Sequence, residues 1–242
     1  MTPVTVMAAT AIPTLTLVTT DADGHNVIAW TNADAFTTVN IYKEGEVLNE
    51  YELIGSEMAS VGSFTDTHSD ASQKAERYRI TGVLANGNES PASGVHKTVH
   101  LAINRGIEEG TFNLIWNEYA GADVVSYNIL RGATATSLEK IATVASSNVS
   151  FTDRAPVDEK PYYALEYVLS SVSSAPANNA NHAPKANIAG RSNVVDRRNA
   201  LEGIEDIRMD TSDAPHKVMK DNILYILLPD GAIFDATGTR VK

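Results

Sequence analysis

The 242-residue chain carries 30 acidic residues against 19 basic, a formal charge of −11, and has no cysteine. Disulfide staples, thiolate metal sites and a cysteine nucleophile are therefore excluded. The lack of any basic segment argues against duplex nucleic acid held by phosphate neutralisation.

A chain of this length has room for one or two hydrophobic cores. The charge is unevenly spread: residues 12–101 hold 12 acidic and 5 basic side chains, 102–198 hold 10 and 9, and 199–242 hold 8 and 5. No stretch approaches the roughly 20 apolar residues of a membrane-spanning helix. Residues 1–11 lack a basic start and are too short for a whole export signal, so they read as a disordered start or the remnant of such a signal on an N-terminally incomplete chain. The missing cysteines fit both a cytosolic and an exported bacterial protein.

From Thr14 the sequence alternates threonine with apolar residues, which is strand composition at strand period, with Leu15 and Leu17 expected on one face. Asp21-Ala22-Asp23-Gly24 supplies a turn, and His25 to Trp30 follows as a second strand. Val39-Asn40-Ile41-Tyr42, Tyr51 to Ile54, Ser63-Phe64-Thr65-Asp66 and Tyr78 to Val83 read as further strands. Val95 to Ile103 reads as one long closing strand that runs almost directly into the first strand of a second unit, without a Gly/Ser linker. Seven short strands at roughly 8–12 residue spacing suggest a β-sandwich.

The same landmarks then recur. Trp116 follows Trp30 by 86 residues, Asn128-Ile129 follows Asn40-Ile41 by 88, and Tyr163 follows Tyr78 by 85. Ile141 and the triplet Phe151-Thr152-Asp153 follow Ile54 and Phe64-Thr65-Asp66 by 87. Such small drift means insertions confined to loops of two homologous units. In the second unit three apolar sets each share a face: Phe112, Leu114 and Trp116; Val125, Tyr127 and Ile129; Tyr163, Leu165, Tyr167 and Leu169. The first unit is less regular, with Asn26 where the second has Phe112 and Gly82 where it has Tyr167, and its core is expected to be smaller. The linkerless junction predicts a restricted angle between two sandwiches placed end to end.

A tryptophan in the second strand, Tyr127-Asn128-Ile129 in the third, Phe-Thr-Asp before a turn and a tyrosine opening the penultimate strand together resemble fibronectin type III domains, twice over. The resemblance implies all-β tandem immunoglobulin-like sandwiches over 12–101 and 102–198, used as spacer, adhesion or docking units without catalysis. The copies depart from the pattern at Val39, which stands where Tyr127 does, and at a long insert, Ser170 to Gly190, placed before a last strand Ser192–Val195. That insert is rich in Ser, Asn, Ala and Pro and reads as a mobile loop.

Residues 199–215 read as an acidic tether, and 216–242 as a C-terminal hairpin: Asn222 to Leu228, a Pro229-Asp230-Gly231 turn, then Ala232 to Asp235. The run from Lys217 through Tyr225 to Gly238-Thr239-Arg240-Val241-Lys242 resembles the sorting tails of Bacteroidetes-type surface proteins exported by type IX secretion. That resemblance implies export machinery as a partner and a secreted or cell-surface location.

Candidate chemistry is sparse. His96 and His100 have the spacing of two metal ligands on a helix, but their neighbours favour a strand, which would hold them about 13 Å apart. Asp21-x-Asp23-Gly24 lacks the later ligands of a calcium loop and reads as a turn. Glu44, Glu46, Glu50, Glu52 and Glu57 contain carboxylate pairs of the kind glycosidases use, yet without a cleft they read as a solvated edge. Trp30 and Trp116 read as core residues rather than sugar platforms. Asn88-Glu89-Ser90 and Asn148-Val149-Ser150 match the glycosylation triplet. No catalytic, cofactor or metal residue is assigned. The expected role is a non-catalytic module meeting a protein or a cell-surface glycan, the alternative being a carbohydrate- or peptide-binding unit that uses end loops and the 170–190 insert.

Overall fold

Alternating threonine and apolar residues, punctuated by Asp-Gly and Asn-Gly turns, extend into strands rather than coil. The computed structural model describes residues 11–106, 108–156, 161–170, 188–196, 216–220, 223–228, 232–235 and 239–241. The readings of 1–10, of 171–187 within the insert and of the tether up to 215 lie outside these residues. No helix among the described residues is long and apolar enough to cross a membrane.

Seven strands build the first sandwich: β1 (Thr14–Thr20), β2 (Asn26–Thr31), β3 (Thr38–Glu44), β4 (Tyr51–Met58), β5 (Ser63–Asp66), β6 (Arg77–Val83) and β7 (His96–Lys97). They form two antiparallel sheets, β1-β2-β5 and β4-β3-β6-β7. Leu15, Val18, Ile28, Trp30, Val39, Ile41, Tyr78 and Ile80 meet between them.

The second sandwich repeats the plan with β8 (Leu101–Arg105), β9 (Phe112–Trp116), β10 (Val124–Thr134), β11 (Ser137–Ala145), β12 (Ser150–Asp153), β13 (Tyr162–Leu169), β14 (Ile188–Arg191) and β15 (Val195–Asp196). Its sheets are β12-β9-β8 and β11-β10-β13-β14, with β15 also on β13. All four residues of the set Tyr163, Leu165, Tyr167 and Leu169 enter one core with Phe112, Leu114 and Trp116.

The Phe-Thr-Asp landmark has a physical role in each copy. Its aspartate stands at the end of the smaller sheet and takes a cation and a tyrosine from the larger one. Asp66 accepts from Lys43 Nζ at 2.8 Å and lies 3.0 Å from the Tyr78 hydroxyl. That hydroxyl also lies 2.8 Å from Glu76 and accepts from Asn26 Nδ2 at 2.9 Å. Asp153 accepts from Arg131 Nη1 at 2.7 Å and from the Tyr163 hydroxyl at 2.8 Å. Both aspartates are buried, and burial drives the two tyrosine pKa values far above their usual range, the neighbouring carboxylates adding to it. A buried charge must be paired to be tolerated, so each clamp fixes how one sheet meets the other.

The structure also explains the irregular first unit. Asn26 is buried and spends its amide on Glu76 and Tyr78. A Cβ on Gly82 would fall inside the ring of Phe36, so this ring fills the space that Tyr167 fills in the second unit.

Five expectations need correction. Leu15 and Leu17 do not share a face, because the β1–β2 register shifts between them: Leu15 opposes Trp30 and Leu17 opposes Ala29. A bulge of this kind turns the following side chains over. A register shift between Val124 and Ser126 likewise leaves Val125 51% exposed while Tyr127 and Ile129 stay buried.

The long strand from Val95 to Ile103 is two strands, β7 and β8. The Asn117 side chain accepts from His100 N–H and donates to Thr98 C=O, taking the backbone groups of the step between them. The last strand is not Ser192–Val195 but β14 and β15, so Ile188–Gly190 belongs to a strand rather than to the insert. Between them Asn193 uses its amide on both backbone groups of Leu101 (2.7 and 2.9 Å), and the Ser192 hydroxyl accepts from Leu165 N–H.

The C-terminal piece is a three-stranded antiparallel meander, not a two-stranded hairpin: β16 (His216–Lys220), β17 (Ile223–Leu227) and β18 (Ile233–Asp235). The Lys217-Val218-Met219 run supplies the added strand, and a third strand gives a sheet of this size the pairing that an isolated hairpin lacks.

Replacing Asp153 with Asn leaves the half-buried Arg131 without its countercharge and should lower stability by about 3 kcal/mol. Tyr163→Phe, which leaves the ion pair intact, should cost about 1 kcal/mol. Urea unfolding of both variants measures this, and an unchanged midpoint in Asp153→Asn would show that the clamp does not hold the sheets.

Candidate functional site

The feature that most sets this chain apart from two independent sandwiches is the junction between them. The bulge in β1 starts it. With Thr16 as the extra residue, Leu15 and Val18 face their own core, while Leu17 turns outward and joins the core of the second sandwich, with Ala29 packed beside it. Burying a leucine in this way contributes about 2 kcal/mol.

The strand's free edge is engaged as well. Val18 N–H donates to the Tyr119 hydroxyl at 3.0 Å, and Val18 C=O accepts from the Tyr167 hydroxyl. Next to it, Arg191 N–H donates to Thr19 Oγ1 at 2.7 Å, tying β14 to β1. The two tyrosine rings stack at 4.8 Å between centroids.

His96, on the last strand of the first sandwich, closes the other side. Its Nδ1 lies 2.7 Å from the Tyr119 hydroxyl, and its ring meets that of Tyr119 edge-on at 5.6 Å. While accepting from Val18 N–H, this hydroxyl has its single proton free to donate to an unprotonated Nδ1, an arrangement that places the imidazole proton on Nε2. Burial agrees with that state, pushing the His96 pKa down to about 4. The same burial drives the Tyr119 and Tyr167 hydroxyls well above their normal range. Gly121 covers the imidazole with φ +106°, where a Cβ would strike the ring, so only glycine fits. A backbone bridge between Lys97 and Ala120 completes the seam.

The end-to-end stack expected from the linkerless sequence is thus replaced by a contact along the edge and outer face of β1. The restricted angle has a physical basis in buried hydrogen bonds and a shared core.

The remaining candidates are dispersed. His100 points elsewhere, its Nδ1 2.9 Å from Ala71 C=O, so the two histidines do not converge. No three His, Asp or Glu side chains gather into a metal-holding group among the described residues. Asp21 Oδ1 accepts from the N–H groups of Asp23 and His25, which makes the acidic triplet the β1–β2 turn. Glu44 accepts from Asn49 N–H, whereas Glu46, Glu50 and Glu52 are exposed around the β3–β4 hairpin. Trp30 and Trp116 are each 4% exposed. Trp30 Nε1 donates to Ala59 C=O, and Trp116 packs edge-on against Tyr127. In the triplet Asn88-Glu89-Ser90, Glu89 is held by Asn40 and Tyr42 and Ser90 is buried, whereas Asn148 is exposed in a turn. Sequence reasoning missed Tyr119, Gly121 and the outward turn of Leu17.

The fold is a tandem of fibronectin type III-like sandwiches. No family model matches the chain, and no curated protein does. Among solved structures, an Fn3-like protein from Clostridium thermocellum is similar at 23% identity, covering 38% of this chain and 93% of that one, with a TM-score of 0.34. The FN1–FN3 domains of chicken CNTN1 are similar at 12% identity, covering 77% of this chain and 65% of that one, with a TM-score of 0.26. The fold assignment rests on the strand order, the doubled landmarks and the two cores.

Acidification should loosen the junction. The folded His96 pKa, about 4, lies below its ordinary 6.5. The contribution of the neutral imidazole is therefore complete above pH 6.5 and is lost as pH falls through this window, where the unfolded chain takes up a proton first. The loss should reach about 3 kcal/mol by pH 4. Stability measured against pH should show this slope in the native protein and a much shallower one in His96→Gln; equal slopes would show that His96 is not the group responsible.

Proposed function

We propose that the chain is a non-catalytic, exported cell-surface module whose tandem sandwiches act as a stiff spacer and protein-interaction unit. The observation that carries this reading is the junction: Val18 held at both backbone groups by Tyr119 and Tyr167, with Leu17 inserted into the neighbouring core. A spacer needs a fixed direction more than a cleft, and buried inter-sandwich bonds supply one.

The export half rests on the C-terminal segment. Its three strands and its Lys217–Tyr225 and Gly238–Lys242 patterns support a sorting role by likeness to type IX tails, and adhesion at the cell surface follows from that location. Deleting residues 216–242 should leave the protein inside the producing cell. Unchanged distribution between cell and surface fractions would end the export reading.

The spacer half is tested separately. Residual dipolar couplings from the two sandwiches should fit a single alignment tensor. Two tensors of different magnitude would mean that they reorient independently and serve no spacing role.

A further inference from the structure

The outer face of the first sandwich's larger sheet carries Tyr42 on β3, Tyr51 and Leu53 on β4, and Arg77 and Arg79 two residues apart on β6. Strand register places Leu53, Tyr42 and Arg79 in one row across the sheet and Tyr51, Glu44 and Arg77 in the next. The Arg79 guanidinium lies over the Tyr51 ring, 4.3 Å from its centroid, and 5.8 Å from that of Tyr42. Tyr42 is itself pinned by a 2.7 Å hydrogen bond from its hydroxyl to Glu89, which also accepts from Asn40 and Thr81. Arg79 is therefore held flat by aromatic rings, with no carboxylate paired to it among the described residues. The nearest approach of Arg77 to a carboxylate is 3.8 Å, from Nε to Glu44. The Nε atoms of both arginines are buried and make no hydrogen bond among the described residues.

Both arginine side chains remain only half-buried beyond their enclosed Nε atoms, and a guanidinium matches a carboxylate in shape as well as charge. Tyrosine and arginine held in place in advance are the residue types that dominate binding energy, because little side-chain freedom is lost on contact. Leu53, 55% exposed, adds apolar surface in the same row. The surroundings set the limit on what is admitted: Glu46, Glu50 and Glu52 stand exposed around the adjoining hairpin, in a region with 12 acidic side chains and 5 basic ones. Such a rim repels a uniformly charged polyanion and admits single carboxylates spaced by apolar groups.

We propose that this face docks an extended protein segment in which isolated carboxylates alternate with apolar side chains, its carboxylates received by Arg79 and Arg77 and its apolar groups by Leu53 and the tyrosine rings. The inference names a partner class for the interaction unit and does not depend on the junction, so its failure leaves the spacer reading standing.

The test uses the full chain and a soluble capped peptide of alternating leucine and glutamate, with the same peptide carrying lysine for glutamate, and heparin, as comparison probes. The Arg77 and Arg79 Nε–Hε resonances should shift on adding the glutamate peptide. Affinity should fall about tenfold in Arg79→Gln, and to a smaller extent in Arg79→Lys, which keeps the charge but loses the fork. Amide resonances of the first sandwich's smaller sheet, β1-β2-β5, report that each variant is folded, and Arg79→Lys carries the test if Arg79→Gln is not. The proposal is overturned if neither Nε–Hε resonance moves, if the lysine peptide binds as well, if heparin binds more tightly than the glutamate peptide, or if the folded variants bind like the native chain.

Discussion

One residue of backbone carries the architecture. Val18 sits on an edge strand whose outward N–H and C=O would otherwise offer themselves to any passing strand. Here each is taken by a tyrosine hydroxyl from the other sandwich. The bulge one step earlier allows this, since it lets Leu15 and Val18 serve one core while Leu17 serves the next. Edge protection, core completion and inter-sandwich orientation thus come from four consecutive strand residues.

The two copies have diverged into complementary roles. Counting from the paired tryptophans, Tyr119 stands where the first unit has Ala33, and counting from the pair Tyr78 and Tyr163, Tyr167 stands where it has Gly82. In the first unit Phe36 lies against Gly82 and fills that space from within. In the second unit the tyrosines occupy it and reach across to a foreign strand. One sandwich is closed at this end by its own aromatic ring, and the other is closed by its neighbour. The Asp–Tyr–cation clamps, in contrast, are kept in both copies, with Lys43 replaced by Arg131. They hold each sandwich together whatever its neighbour does.

Much of this was legible in the chain. The tryptophan strands, the Phe-Thr-Asp triplets and the alternation of Tyr163 to Leu169 define two all-β units, because period-2 burial leaves a direct trace in sequence. Lys43 and Arg131 share the 88-residue spacing of the Asn-Ile pairs, a trace of the clamps that becomes readable once the aspartates are known to be buried. The bulges at Thr16 and Val125 leave no such trace, since they depend on a partner's register rather than on composition. Nor did Asn117 and Asn193 look like strand breakers: their side chains act on the backbone of residues 17 and 92 positions away. The junction combines these blind spots, which is why a simple alternation suggested that Leu15 and Leu17 serve one core.

Each sandwich contains a single tryptophan, so Trp30→Phe leaves Trp116 as reporter of the second and Trp116→Phe leaves Trp30 as reporter of the first. The most direct measurement is urea unfolding of Leu17→Ala in these two backgrounds. If Leu17 completes the neighbouring core, the Trp116 transition should move to lower urea by the equivalent of about 2–4 kcal/mol, although residue 17 belongs to the other sandwich. A shift confined to the Trp30 transition would contradict the shared core and, with it, the fixed junction.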